Sequence, residues 1–266
     1  SGNGWEPYPL SLRIVNWIKW AWAGNALPPT AVESLALQAR FLSRRLEWHI
    51  LGNHLLANAK ALIFAGLFFE GMEAERWLAK GAAVFLRQLG EQVLGDGGHF
   101  ERSPMYHAQV LEDVLDVVNA LHTFPDPASA ERVAVTETCS EAVPRMLDWL
   151  RSMTHPDGGI ALFNDAAFGG AATPARLAAY AAELIPDIEL NEADPSGGNR
   201  GAVPYFSHLA ATGYIRVDCG DMTAFLDVGP IGPDYLPGHA HADNLTFELS
   251  LGRQRVIVDS GVSRYG

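Results

Sequence analysis

The chain has 266 residues, of which 48% are hydrophobic and 19% charged, with a formal net charge of −12. That composition suffices for one large or two modest domains with a real core, and its acidic balance argues against nucleic-acid binding, which needs a basic footprint. The longest apolar stretch, Ala61 to Phe69, is too short to cross a bilayer. The opening Ser1-Gly2-Asn3-Gly4-Trp5 has no basic-then-apolar leader pattern and no initiating Met, which leaves the compartment open. The two cysteines, Cys139 and Cys219, read as buried small hydrophobes, with no support for a disulfide.

Helical periodicity runs through roughly the first 190 residues. Leu10, Ile14, Trp17, Ile18 and Ala21 form one stripe, closed by Gly24, and tryptophans at this spacing read as core. A second helix is predicted from an N-cap at Thr30 through to Ile50, with Arg40, Arg44, Arg45 and Glu47 as its solvated face. A third spans Asn53 to Phe69 and is apolar on nearly every side, as a helix surrounded by neighbours must be. Further helices are predicted over Glu73–Val93, His107–Leu121 and Ser129–Met153, with glycine- and proline-rich turns between them. Repeated helical hairpins suggest an α/α array or toroid. Near residue 195 the pattern changes to four short strands: Tyr214–Val217, Thr223–Val228, Leu245–Leu249 and Arg255–Asp259. The predicted fold is therefore α+β, with a helical domain over 1–195 and an antiparallel sheet domain over 196–266. A four-stranded sheet leaves an open edge and an apolar face, so the expectation is a sheet domain cut short at Gly266.

Three clusters carry candidate chemistry. Asn53-His54 opens the third helix. Either Asn53 is a cap, or amide and imidazole at a helix N-terminus form a carboxylate site. Glu101-Arg102-Ser103-Pro104-Met105-Tyr106-His107 follows a glycine-rich turn. Tyr106 either packs at the start of the next helix or exchanges a proton, helped by the neighbouring Arg102, which lowers a phenol pKa. Gly238-His239-Ala240-His241-Ala242-Asp243-Asn244 puts two imidazoles on one side of an extended backbone, suited to metal binding or acid–base work. Asp259, at the end of the next strand, can approach His241 across a hairpin and share a zinc ion. Asp243 and Asn244 read as supporting or turn residues. His49, His99, His122, His155 and His208 read as surface or core.

With these clusters in hand, the chain resembles the heparinase II/III-like polysaccharide lyases. The resemblance rests on Gly52-Asn53-His54-Leu55-Leu56-Ala57-Asn58, Phe100 to His107, Gly238 to Glu248 and Val258-Asp259-Ser260-Gly261. It implies an incomplete α/α toroid followed by an antiparallel β-sandwich, and β-elimination of an anionic, uronic-acid-containing polysaccharide or oligosaccharide, alginate and glycosaminoglycans included. Under the resemblance Asn53 and His54 neutralise the uronate carboxylate, Tyr106 protonates the leaving group and also serves as base for one epimer, and His239 is the other acid–base partner. His241 and Asp259 hold a structural zinc whose third protein ligand would lie beyond Gly266. Arg102 and Tyr235 are placed as substrate contacts by position. The location stays open, with a periplasmic or secreted bacterial one favoured and a cytoplasmic one the alternative. Two alternatives stay open: an α/α-toroid glycoside hydrolase, for which Glu101 and Asp234 are the available carboxylates, and a catalytically silent glycan-binding or exopolysaccharide-assembly protein of the same fold.

Overall fold

A computed structural model of the chain describes residues 2–186, 188 and 204–259. Among the described residues, a short 3-10 turn at Asn3–Trp5 is followed by seven helices: α1 Pro7–Trp22, α2 Pro29–Ser43, α3 Gly52–Phe68, α4 Met72–Gln92, α5 Pro104–Thr123, α6 Ala130–Ser152 and α7 Pro174–Leu184. Five strands follow: β1 Tyr205–Leu209, β2 Tyr214–Cys219, β3 Met222–Asp227, β4 Phe247–Leu251 and β5 Gln254–Ile257. They form one antiparallel sheet in sequence order. The helical-then-β fold class read from the pattern is the one observed. The expected boundary at 195/196 lies outside the described residues. By compactness the chain divides differently, into one unit of residues 1–90 with 116–139 and another of 91–115 with 140–266.

In the first unit α3 is the central element, with fourteen of its seventeen residues buried. Leu10, Ile14 and Ile18 of α1 pack on it, and α4 approaches it through glycines. A Cβ on Gly66 would lie 2.6 Å from the Leu78 side chain, and one on Gly81 would lie 2.8 Å from the Ala59 carbonyl oxygen. Buried Lys60 and the more exposed Lys19 both donate to Asp116. Burial alone would raise the Asp116 carboxyl, but the two ammonium groups outweigh it and hold the carboxyl below its usual range.

Several local expectations are corrected here. The second helix stops at Ser43, because the Glu47 N–H donates to the Asn58 side chain at 2.9 Å and Glu47 is buried, not solvated. Thr30 is the second residue of α2, whose N-cap is Pro28. The third helix starts at Gly52, after Leu51 with φ 63°, so Asn53 lies inside the first turn and is not a cap. Trp20 is 57% exposed, whereas Trp22 packs against Phe64 and Phe124. Helix α7 and strand β1 were not anticipated. The cysteines are free, and burial pushes the Cys139 thiol up to about 12.

The second unit contains the same turn twice. At Asp96-Gly97-Gly98 and again at Asp157-Gly158-Gly159, the aspartate Oδ1 accepts the N–H of the second glycine. The first glycine has φ near +90° in each copy, and a short antiparallel bridge flanks each turn, Val93 to His99 and Thr154 to Ile160. Each aspartate's Oδ2 then reaches the sheet. Asp96 accepts from the N–H and hydroxyl of Thr212 between β1 and β2, and Asp157 accepts from Arg255 of β5. Between these fastenings Trp149, Met153, Phe163, Tyr214 and Phe225 form a closed apolar core. Buried His155 sits between two side chains of β4, its Nδ1 2.7 Å from the Ser250 hydroxyl and its Nε2 2.6 Å from a Glu248 carboxylate oxygen.

Candidate active site

The second unit draws together Glu101, Tyr106, Asn164, Asp165, His239 and His241. Ser103-Pro104 starts α5 as the sequence suggests, with Ser103 Oγ accepting the Tyr106 N–H at 3.5 Å. This places Tyr106 in the first turn. Its ring stacks on the His239 imidazole, centroids 3.7 Å apart and planes at 21°. His239 Nδ1 lies 2.6 Å from Oε2 of Glu101, a residue 4% exposed. The Tyr106 hydroxyl donates to Asp165 Oδ2 at 3.4 Å.

His241 lies against the same aspartate. Its Nδ1 accepts the Asp165 N–H at 3.3 Å, and its Nε2 is 4.0 Å from Asp165 Oδ1. Asn164 closes the cluster: its side-chain oxygen accepts the His241 N–H, and its own N–H donates to Asp243 Oδ2 at 2.6 Å. Asn164 and Asp165 have φ 51° and 45°, a left-handed pair that asparagine and aspartate tolerate best. Arg102 has φ 61°, so the two segments that bracket Tyr106 both hold strained backbone. Residues 239–241 form an irregular loop and not the extended segment expected, so the two imidazoles diverge, His239 toward Glu101 and His241 toward Asp165.

Carboxyls behind the cluster are shifted upward. Burial, with Asp243 nearby, raises Asp227 to about 6, and burial also raises Asp243. Arg102 is 8% exposed; its Nε donates to the Thr212 carbonyl at 2.9 Å, and its Nη1 has no hydrogen-bond partner among the described residues. The phenol it meets is Tyr214, which donates to the Arg102 carbonyl at 2.8 Å. Tyr235 is 57% exposed and donates to Glu91 at 2.7 Å, and burial followed by Glu91 pushes its phenol up to about 12. Asp234, the hydrolase reading's second carboxylate, is exposed. Asn244 Nδ2 donates to the Gly229 carbonyl.

In the first unit, His54 stacks on Tyr8 with centroids 4.2 Å apart, and its Nδ1 is 3.3 Å from Glu47 Oε1. Asn58 donates to the other Glu47 oxygen and to Ser11. Burial alone would raise the Glu47 carboxyl, yet the hydrogen bonds from His54 and Asn58 bring it below its ordinary value. Asn53 is 7% exposed, and its amide makes no side-chain hydrogen bond among the described residues.

His241 and Asp259 are donor types that zinc accepts; Asp259 lies two residues past the end of β5, not at the strand's end as expected, with its N–H bonded to Glu248 Oε1 at 3.1 Å. Among the described residues no group of three or more His, Cys, Asp or Glu side chains is disposed around a metal position. Asn164 and Asp165 were not anticipated, although an Asn-Asp pair after a proline- and glycine-rich turn is a left-handed signal in principle.

Comparison with known proteins gives a consistent answer. Residues 29–190 match the heparinase II/III N-terminus family, and residues 202–266 match the heparinase II/III-like C-terminal family. A heparin-sulfate lyase of Pedobacter heparinus is 30% identical over 98% of this chain and 40% of its own length. FtsZ-localized protein C of Caulobacter vibrioides is 30% identical over 91% of this chain and 37% of its own. The chain thus spans about two fifths of the length of these relatives. The crystal structure of heparinase III superposes with a TM-score of 0.76 at 23% identity, covering 98% of this chain and 43% of that one, a likeness of fold. With one family matched across most of the helices and its companion across the strands, the chain belongs to the heparinase II/III-like family.

Proposed function

We propose that this chain carries the catalytic residues of a polysaccharide lyase that cleaves an anionic, uronic-acid-containing glycan by β-elimination, with a glycosaminoglycan as the first candidate substrate. The observation that carries the reading is the Tyr106–His239 stack, which sets a phenol and an imidazole side by side. β-Elimination needs that pair: a base to take the C5 proton and an acid to protonate the departing glycosidic oxygen. Heparin-sulfate lyases among the relatives support the reaction class. In the proposed step the C5–H proton passes to His239, and the electron pair left behind forms the C4–C5 double bond. The C4–O bond then breaks, and that oxygen takes the Tyr106 proton.

Asn53 and His54 are assigned the uronate carboxylate on the strength of the family resemblance. Hydrogen-bond donors there would offset the charge that develops as C5 is deprotonated. Tyr235, more than half exposed, is proposed as a substrate contact. Arg102 would need its buried guanidinium to turn outward to join it. His241 and Asp259 are the residues proposed to hold zinc, which would brace the loop structurally.

The test is near-ultraviolet absorbance with a panel of uronic-acid glycans, comparing wild type with Tyr106→Phe. Elimination leaves a conjugated unsaturated uronate, so the expected outcome is a rising signal that falls at least about a hundredfold in the variant. New reducing ends without absorbance would favour the hydrolase. A second reading has support in the Caulobacter relative, which is named for localisation with FtsZ and not for lyase activity. Under it the chain binds glycan or assembles without turnover, and binding would survive Tyr106→Phe with no product from wild type.

A further inference from the structure

We propose that Glu101 is a positioning residue of this site: it fixes the His239 imidazole as the tautomer with its hydrogen on Nδ1, which reserves Nε2 for the substrate. An ionised carboxylate has only acceptors, so the 2.6 Å contact requires a hydrogen on Nδ1. A neutral imidazole protonated there has its lone pair on Nε2, and among the described residues Nε2 makes no hydrogen bond. Two restraints act together on the ring. Glu101 fixes one edge, and the Tyr106 stack fixes the plane. The Glu101 side chain is 3% exposed, so water offers little competition for the bond, whereas the His239 side chain keeps 21% exposure. A carboxylate that holds an imidazole in one tautomer and orientation is an established way to prepare a base.

The tautomer stands on geometry alone, and its consequence for rate rests on the lyase reading. In the elimination step, Nε2 bonds to the C5 proton, and the resulting imidazolium keeps its Nδ1–H directed at Glu101. The charge formed on the ring thus faces a buried opposite charge. The carboxylate takes no proton and touches no substrate atom.

The experiment uses the full chain labelled with ¹⁵N-histidine. Long-range ¹H–¹⁵N correlation is recorded at about pH 8, where free imidazoles are neutral, and His239→Gln identifies the His239 signals. The expected result is an Nδ1–H tautomer in wild type that reverts to a mixture in Glu101→Leu. With a glycan that is turned over, Glu101→Leu should lower kcat by roughly a hundredfold while KM changes less than about threefold. Glu101→Gln, close in size, serves if the leucine variant does not fold: it keeps an acceptor but loses the charge, so its kcat should fall by roughly tenfold or more. An Nε2–H tautomer in wild type, or an unchanged tautomer in Glu101→Leu, overturns the proposal. A confirmed tautomer with no product from any glycan supports the positioning role and sinks the lyase reading instead.

Discussion

At the scale of single residues, adjacent side chains can have opposite fates. Tyr106 faces the site, but His107, one position on, is fully buried. The neutral imidazole of His107 is satisfied on both sides: Nδ1 accepts the His99 N–H, and Nε2 donates to the Met146 carbonyl. Burial pulls its pKa down to about 4 against the opposing pull of that carbonyl, and burial also lowers His99. The folded His107 therefore binds fewer protons than the unfolded one between pH 6.5 and 4. Its contribution is complete above pH 6.5 and is lost as pH falls through that window, amounting to about 3 kcal/mol. Urea unfolding at pH 7.5 and at pH 5 should show the loss, and equal midpoints would contradict it. Sequence could mark the Glu-Arg-Tyr-His cluster as dense in chemistry, but helical rotation of about 100° per residue decides which member faces inward. Arg102 read as a neighbour of Tyr106 but was found beside Tyr214, because it precedes α5 on a left-handed backbone with φ 61°.

At the scale of elements, long periodic segments were legible and short ones were not. The all-round apolar third helix was read almost to its ends, because burial on every side leaves an unmistakable composition. Strand β1, mostly exposed, carries little alternation to detect. Helix α7 has a Thr173 cap and Pro174 behind it, a start signal that was present but outweighed by the surrounding glycines. The paired Asp-Gly-Gly turns give a controlled comparison. Gly97 and Gly158 share a left-handed φ, but a Cβ on Gly97 would fall 2.2 Å from the Arg145 carbonyl oxygen, while one on Gly158 meets nothing within 4 Å. Gly158→Ala should cost about 1–2 kcal/mol from backbone strain alone. Gly97→Ala adds the backbone clash and should cost about 3 kcal/mol or more. Chemical denaturation of both variants checks the difference, and equal losses would mean that the packing of the turn against α6 yields easily.

At the scale of the whole molecule, the switch from helical to alternating pattern was enough to identify the fold class, but alternation alone does not say what covers each face. On the face of the sheet opposite Tyr214 and Phe225, the register aligns Phe206, Val217, Ala224, Leu249 and Ile257 across all five strands. The next row aligns His208, Ile215, Leu226 and Phe247. Phe206 is 65% exposed and Phe247 46%, so the described residues leave a wide apolar surface on this face. It should bind a hydrophobic dye and self-associate with rising concentration. Phe206→Lys should weaken both and leave the thermal midpoint within a few degrees, and sedimentation checks this. A different consequence follows from the ties at the neck of the loop that carries His239 and His241. Asn244 bonds to Gly229, Leu245 to Asp227, and Val228 to Gly213, so the loop is a closed ring sewn into β3 and the start of β4. The search in space that brings His239 to Tyr106 is thus largely finished once those strands pair. On heating, the Tyr106–His239 stack and the sheet should therefore disappear in a single cooperative transition.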